Sequence, residues 1–354
     1  MRIGLVAPPW VPVPPTGYGG TEAVVDLLAR GLRAAGEEVV LFTLGCSTCP
    51  VPRRWVYEEP QVPMGIAAAE ARHVVRAYRV LTDCDVIHDH TLLGPSFAPR
   101  ATPVVTTNHG PFDPGAREIY GAVARRVPII AISYSQRATA PELPIAAVIH
   151  HGIDPEAFPV GTGSGGYLLF LGRMAPEKGA HRAIEVARRA GLPLVLAAKM
   201  REPAERRYFA ECVEPHLGAD VDFVGEVPQE DKAALLGGAR ALLNPITWAE
   251  PFGLVMLEAL ACGTPVLSFP NGAAPEIVEH GRTGFLCRDE ADMVAAVERL
   301  DQLRRSDCRA AVEGYFSSRR MVRDHLRLYR TVLGRATREA DDRVLSASRA
   351  EEAR

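Results

Sequence analysis

Several absences bound what this chain can be. None of its 354 residues belong to an apolar run of the length a bilayer crossing requires, so a helical membrane span is excluded. Neither sign of charge dominates. With 40 Lys and Arg against 43 Asp and Glu the formal net charge is −3, which leaves no basic field for nucleic acid, and no nucleic-acid partner is expected. The seven cysteines, Cys46, Cys49, Cys84, Cys212, Cys262, Cys287 and Cys308, are odd in number and scattered, so reduced thiols in a cytosol are expected rather than a disulfide framework. Cys46-Ser47-Thr48-Cys49 has C-x-x-C spacing, but no second pair completes a zinc site. No signal-peptide pattern is visible, because Met1-Arg2 leads straight into a strand-like run, and a cytoplasmic protein is expected. What remains is an ordinary soluble composition, 47% apolar and 23% charged, in a chain whose length suits two domains better than one.

The first half alternates. Residues 2–7 read as a buried strand, and the proline-rich stretch 8–15 as a rigid extended loop ending in Gly17-Tyr18-Gly19-Gly20-Thr21-Glu22. A helix follows, with Ala23, Val24, Leu27, Leu28 and Leu32 at helical spacing and Gly36 as its stop. A strand, a glycine-rich turn and a helix allow backbone to approach a ligand closely, although the spacing fits a plain tight turn as well. Strand-like runs recur at 39–44, 85–88, 103–107, 127–132 and 146–150, with helical patterns at 65–81 and 115–126 between them. This alternation predicts a parallel sheet covered by helices on both faces, with ligands beyond the carboxyl ends of the strands. His88, Asp89 and His90 follow one strand and Asn108-His109-Gly110 another; such histidines also occur as plain loop residues. His150 and His151 close the last strand of this half.

Residues 155–165 carry prolines and glycines and read as an interdomain linker. Gly161-Thr162-Gly163-Ser164-Gly165-Gly166 formally satisfies G-x-G-x-x-G, but it precedes a strand, whereas a dinucleotide fingerprint must follow one. In the second half a strand at 167–171 feeds Gly172-Arg173-Met174-Ala175-Pro176-Glu177-Lys178-Gly179 and a helix over 180–190. Arg173 offers a planar fork and Lys178 a point charge, so the two can converge on a diphosphate, or simply form a solvated loop. Further strands are predicted at 194–197, 221–224, 241–243, 265–268 and 284–286.

The stretch from Trp248 to Val266 organises this half. Glu250 precedes Pro251-Phe252-Gly253-Leu254, and a helix apolar on nearly every face then carries Glu258 before Gly263 and Pro265 end it. A buried carboxylate is costly unless something satisfies it. Glu250 stands where free backbone N–H groups and the positive helix end favour an anion. A carboxylate before the helix, an anion site at its tip and a second carboxylate further in would suit a ligand with hydroxyls at both ends and phosphate between, as in a nucleotide sugar. Residues 317–333 show Met321, Val322, Leu326, Tyr329 and Val332 at helical spacing, and the charged segment after 334 is expected to fray.

Glu250 and Glu258 have seven residues between them, with Pro-Phe-Gly-Leu after the first, and the stretch resembles the E-x7-E signature of family 4 glycosyltransferases. The resemblance spans about residues 1–334. It implies an α/β GT-B fold with two Rossmann-like domains: an acceptor-binding domain over 1–154, a linker over 155–165, a donor-binding domain over 166–316, and a helix over 317–334 that crosses back to the first domain ahead of a charged tail, 335–354. It also implies retaining, metal-independent transfer from a nucleoside-diphosphate sugar to an acceptor hydroxyl, with no cofactor. By the same resemblance Arg173 and Lys178 sit on the diphosphate, helped by the N–H groups of Phe252, Gly253 and Leu254; Glu258 holds the ribose and Glu250 the transferred sugar. His109 approaches that sugar from the first domain, and Gly19 and Gly20 lie beside the phosphates. Val227, within Phe223-Val224-Gly225-Glu226-Val227-Pro228, lies near the base, and His90 on the acceptor side. Catalysis is thus expected from His109, Arg173, Lys178 and Glu250, in a cleft closed by motion at 155–165. A nucleotide-sugar epimerase of the same fold and a non-catalytic nucleotide-sugar-binding subunit are the alternatives.

Overall fold

The computed structural model describes the backbone of residues 1–352 and the side chains of residues 1–228 and 231–336. The first half builds one parallel sheet from β1 (Arg2–Val6), β2 (Glu38–Thr43), β3 (Arg53–Trp55), β4 (Val86–Asp89), β5 (Val104–Thr107), β6 (Ile129–Ala131) and β7 (Ile145–Val148), in the order β3-β2-β1-β4-β5-β6-β7. The second half builds another from β8 (Leu168–Arg173), β9 (Leu194–Lys199), β10 (Val221–Gly225), β11 (Ala241–Asn244), β12 (Val266–Ser268) and β13 (Gly284–Leu286), in the order β10-β9-β8-β11-β12-β13. Strands covered on both faces must be apolar throughout. Ile3, Leu5 and Val6 of β1 and Leu168 and Leu169 of β8 are accordingly fully buried. β3 was not anticipated. Its Arg53-Arg54-Trp55 is no apolar run, because it pairs with β2 alone at the sheet edge.

Strand order reverses between β1 and β4 in the first sheet and between β8 and β11 in the second. The loops leaving the carboxyl ends of strands at such a reversal diverge to opposite faces and open a crevice. The loops after β1, β4, β8 and β11 carry residues 8–20, His90, 174–179 and 245–253, so both crevices are lined by the stretches singled out above.

Three helices matter for the site. The helix Gly20–Ala34 follows the glycine-rich loop and packs Val24, Val25, Leu28 and Leu32 into the first core. The helix Leu254–Ala261 buries Met256, Leu257, Ala259, Leu260 and Ala261, as an element apolar on nearly every face must. The last helix, Ser318–Glu352, returns to the first domain, where Met321, Val322, Leu326, Tyr329 and Val332 join the same core as Ile3, Leu5 and Val25. Its backbone continues as helix through Glu352, where fraying was expected from position 335.

The reading of 155–165 as a free joint is corrected. Gly161, Gly163 and Gly165 donate backbone hydrogen bonds to the carbonyls of Cys262, Gly237 and Gly238 at 2.9–3.0 Å. Arg305 Nε holds the Gly161 carbonyl at 2.8 Å, and Arg309 the carbonyls of Pro155 and Phe158 at 2.8 and 2.7 Å. The glycines permit this close seating, and the segment is part of the second domain. The two chain crossings meet instead at Ile153 and Ser317. Ile153 N donates to Phe316 O at 2.9 Å and Ser318 N to Ile153 O at 2.7 Å.

Candidate active site

Arg173 ends β8 and Lys178 sits in the short turn before the helix Ala180–Arg189. Arg173 Nη2 donates to Glu177 Oε1 at 2.7 Å, which orients the guanidinium at the loop. Lys178 is buried and its Nζ is paired with Glu250 Oε1. The loops after β8 and β11 are fastened together, since Thr247 N donates to the Glu177 carbonyl at 2.9 Å.

Glu250 lies just ahead of the helix Leu254–Ala261. Phe252 is buried, Gly253 takes φ +106° as the N-cap, and Leu254 begins the helix. A side chain at Gly253 would be strained there and would strike Met256. Gly272, at φ +58°, packs directly on the Glu250 backbone, and Ala273 N donates to the Glu250 carbonyl at 3.0 Å. The position of the first carboxylate is therefore set by backbone on both sides. Glu258, one turn into the helix, pairs its Oε1 with Lys232 Nζ at 2.8 Å. Each signature carboxylate thus has a lysine against it. In a chain whose cations are almost all arginine, the lysines Lys178, Lys199 and Lys232 all lie in this domain, each paired with a glutamate. Lys232 escaped the sequence reading, although that scarcity was a signal. Val227 is half-buried against the second core, next to Glu226.

Across the cleft, Gly19 and Gly20 lead into the helix Gly20–Ala34, and Gly20 faces Leu254 Cδ1. Tyr18 N donates to Glu226 Oε1 at 2.8 Å, so the glycine-rich loop is clasped by the second domain. His109 follows β5, and its Nε2 shares a 2.8 Å hydrogen bond with His90 Nδ1. Its ring stacks on His151, 5.1 Å between centroids, and His151 lies edge-on to Phe252 at 5.0 Å. The row continues the other way: His90 against His88 at 4.0 Å and His88 against His325 of the last helix at 5.2 Å. His88 is held by Tyr329 and Thr107, both at 2.7 Å. Burial, and to a smaller extent the proximity of His325, pushes His109 down to about 3; burial pushes His325 down to about 4, and burial with neighbouring histidines holds His88, His90 and His151 well below the usual imidazole range. These rings are neutral, so His109 can meet a sugar as a hydrogen-bonding group and not as a cation.

A second clasp was not anticipated. Glu276, on the short helix Ala274–Ile277, accepts from Tyr134 N at 2.9 Å, Ser135 N at 2.7 Å and His150 Nε2 at 2.7 Å, all in the first domain. Burial raises its carboxyl, but these hydrogen bonds outweigh that and hold it below its ordinary value. Arg320 ties the last helix to the same place through the carbonyls of His150 and His151, at 2.8 and 3.0 Å. Cys46 and Cys49 are free thiols; burial beside Asp26 pushes Cys49 up to about 12, so it is no thiolate nucleophile. Among the described residues no group of His, Cys, Asp or Glu has the arrangement of a metal site.

The structure therefore gathers Arg173, Lys178, Glu250, Phe252, Gly253, Leu254 and Glu258 in the second domain, where Gly20 and the row from His109 through His151 meet Leu254 and Phe252 from the first domain. Two doubly wound domains facing in this way form the architecture of GT-B glycosyltransferases. AviGT4, a glycosyltransferase involved in avilamycin A biosynthesis, superposes with a TM-score of 0.71 at 30% identity over 94% of this chain and 98% of its own. Sucrose-phosphate synthase from Thermosynechococcus elongatus has the same fold, with a TM-score of 0.80 at 21% identity over 94% of this chain and 99% of its own. The family model for group 1 glycosyl transferases matches residues 161–313, and that for glycosyltransferase family 4 matches residues 18–157. The chain belongs to glycosyltransferase family 4. A glycogen synthase of Mycobacterium tuberculosis is 29% identical over 84% of this chain and 85% of its own length. A phosphatidyl-myo-inositol mannosyltransferase of Mycobacterium leprae is 26% identical over 87% and 88%. No helix among the described residues is long and apolar enough to cross a membrane.

Proposed function

We propose that this glycosyltransferase moves a hexose from a nucleoside-diphosphate sugar to an acceptor hydroxyl with retention at the anomeric carbon and without a metal ion. The observation that carries the reading is the convergence of Arg173, Lys178 and the tip of the helix Leu254–Ala261 beside two carboxylates at the cleft. Two cations and the N-terminal amides of a helix meet the charge that grows on the departing diphosphate. Lys178 is already paired with Glu250, so its ammonium links the phosphate end of the donor to the sugar end. Glu258 takes the ribose hydroxyls at the oxygen that Lys232 leaves free, and Val227 lies beside the base.

His109, neutral and held by His90, meets the sugar from the first domain. Burial holds His109, His90 and His151 below the usual imidazole range, which disfavours uptake of the acceptor proton there. The departing phosphate takes it, on the face where the acceptor attacks, and that shared face accounts for retention. The clasps at Glu226 and Glu276 hold the walls together and exclude water, which limits donor hydrolysis. Relatives named for glycogen synthesis and for mannosyl transfer support a hexosyl donor.

The test is a panel of UDP-, GDP-, ADP- and dTDP-hexoses scored by thermal stabilisation and then by nucleoside diphosphate release with hydroxyl acceptors. One base class is expected to raise the unfolding temperature, with release that depends on an acceptor and needs no added metal. Donor interconversion without an acceptor would point to an epimerase. Stabilisation with no release under any acceptor would point to a binding subunit.

A further inference from the structure

Two buried polar atoms beside Lys178 lack a partner among the described residues: Glu250 Oε2 and the indole Nε1 of Trp248. Lys178 Nζ pairs with the other oxygen of Glu250 and stands 5.7 Å from the centre of the Trp248 ring, so carboxylate and indole flank one ammonium. The backbone that carries the indole is fixed on both sides. Thr247 N is bonded to Glu177 O, and Glu250 N donates to the Trp248 carbonyl at 2.9 Å. An indole N–H only donates and a carboxylate oxygen only accepts. A hydroxyl satisfies both at a single oxygen, whereas an ether lacks the proton and a C–H offers neither.

We infer that Trp248 is a specificity-determining residue: its Nε1–H donates to one hydroxyl of the transferred sugar while that hydroxyl donates to Glu250 Oε2. The inference rests on reading the cleft as a nucleotide-sugar site. It restricts the donors to sugars with a free hydroxyl at the bracketed carbon, and excludes those that are deoxygenated or O-alkylated there. In a site screened from water an unmet indole or carboxylate is penalised, which turns one contact into discrimination.

The experiment compares wild type, Trp248→Phe and Trp248→Ala by calorimetric titration with a nucleoside diphosphate, with its hexose derivative and with monodeoxy hexose derivatives. Phe keeps an aromatic ring beside Lys178 and removes the N–H along with part of the indole. Trp248→Phe is expected to bind the nucleoside diphosphate within about twofold of wild type and the nucleotide sugar about tenfold more weakly. One deoxy donor is expected to bind wild type about tenfold more weakly, and to lose clearly less than that relative to the intact donor in Trp248→Phe, because only the Glu250 contact of that hydroxyl is then left to lose. Equal binding of the nucleotide sugar by Trp248→Phe and wild type would overturn the inference. So would equal loss for nucleotide and nucleotide sugar, which would mean that the ring only supports Lys178. If the variants do not fold, the deoxy series on wild type still decides, since no position that weakens binding more than about twofold would overturn the inference. Wild type that binds nucleoside diphosphates but no nucleotide sugar would sink the donor reading as well, an outcome distinct from the others.

Discussion

Mild acid should unfold the first domain, and the buried histidines set how steeply. His73, His88, His90, His151 and His325 are buried and His109 is half-buried against them; all six are neutral in the fold, with His109 at about 3 and His73 and His325 at about 4. Unfolded, each titrates near pH 6.5. The unfolded chain then binds more protons than the folded one at every pH between those limits, so stability is full above about pH 6.5 and falls as pH drops below it. Between pH 7 and about 5.5 each histidine that stays neutral costs on the order of 1 kcal/mol, and six cost about 7 kcal/mol. Two buried carboxyls work against them. Burial raises Glu22 to about 7 and Asp89 to about 6, so the folded chain takes up their protons first. Over the same interval they return about 2 kcal/mol together. The net loss of about 5 kcal/mol matches the whole stability of a small domain. Calorimetric scans at about pH 7 and 5.5 should show the transition containing the first domain move to much lower temperature, and His109→Asn should recover about 1 kcal/mol of the loss. A first-domain transition that does not move over this interval would refute the reasoning.

Other outcomes follow from the donor wall and the clasps. Lys178→Ala should cut nucleoside diphosphate release at least about a hundredfold while the folded secondary structure, read by circular dichroism, is retained; wild-type turnover would remove Lys178 from the diphosphate. Lys232→Met leaves Glu258 without its partner and should weaken nucleoside diphosphate and nucleotide sugar alike, by about tenfold in calorimetric titration. Glu276→Ala frees Tyr134 N, Ser135 N and His150 at once; small-angle scattering should then show a larger radius of gyration without donor, and the donor KM should rise.

The alternation of apolar runs with helical periods was enough to read two parallel sheets, because a strand buried on both faces has little choice but to be apolar. The edge strand Arg53–Trp55 obeys no such constraint and was missed. Glu250 and Glu258 were legible because a carboxylate in or beside an apolar helix contradicts its surroundings. Lys232 and Glu276 look like any other surface charge in sequence. What distinguishes them is a partner at 26 positions' remove in one case and in the other domain in the second. The glycine-rich 155–165 misled for a related reason: the same residues that free a chain also let it lie against other backbone, and only the carbonyls of Gly237, Gly238 and Cys262 decide between the two.

Local rules are written in the order of the residues: which segments must be buried, which turns require glycine, and where cations and carboxylates stand relative to strand ends. Tertiary structure decided the pairings. It set Lys178 on Glu250, Lys232 on Glu258, and a row of neutral imidazoles from His325 to His151 against Phe252. The physical reason is range. Helix periods, caps and turns act over a few residues, whereas an ion pair or a stacked ring depends on distances that only the packing of two sheets and a returning helix can fix.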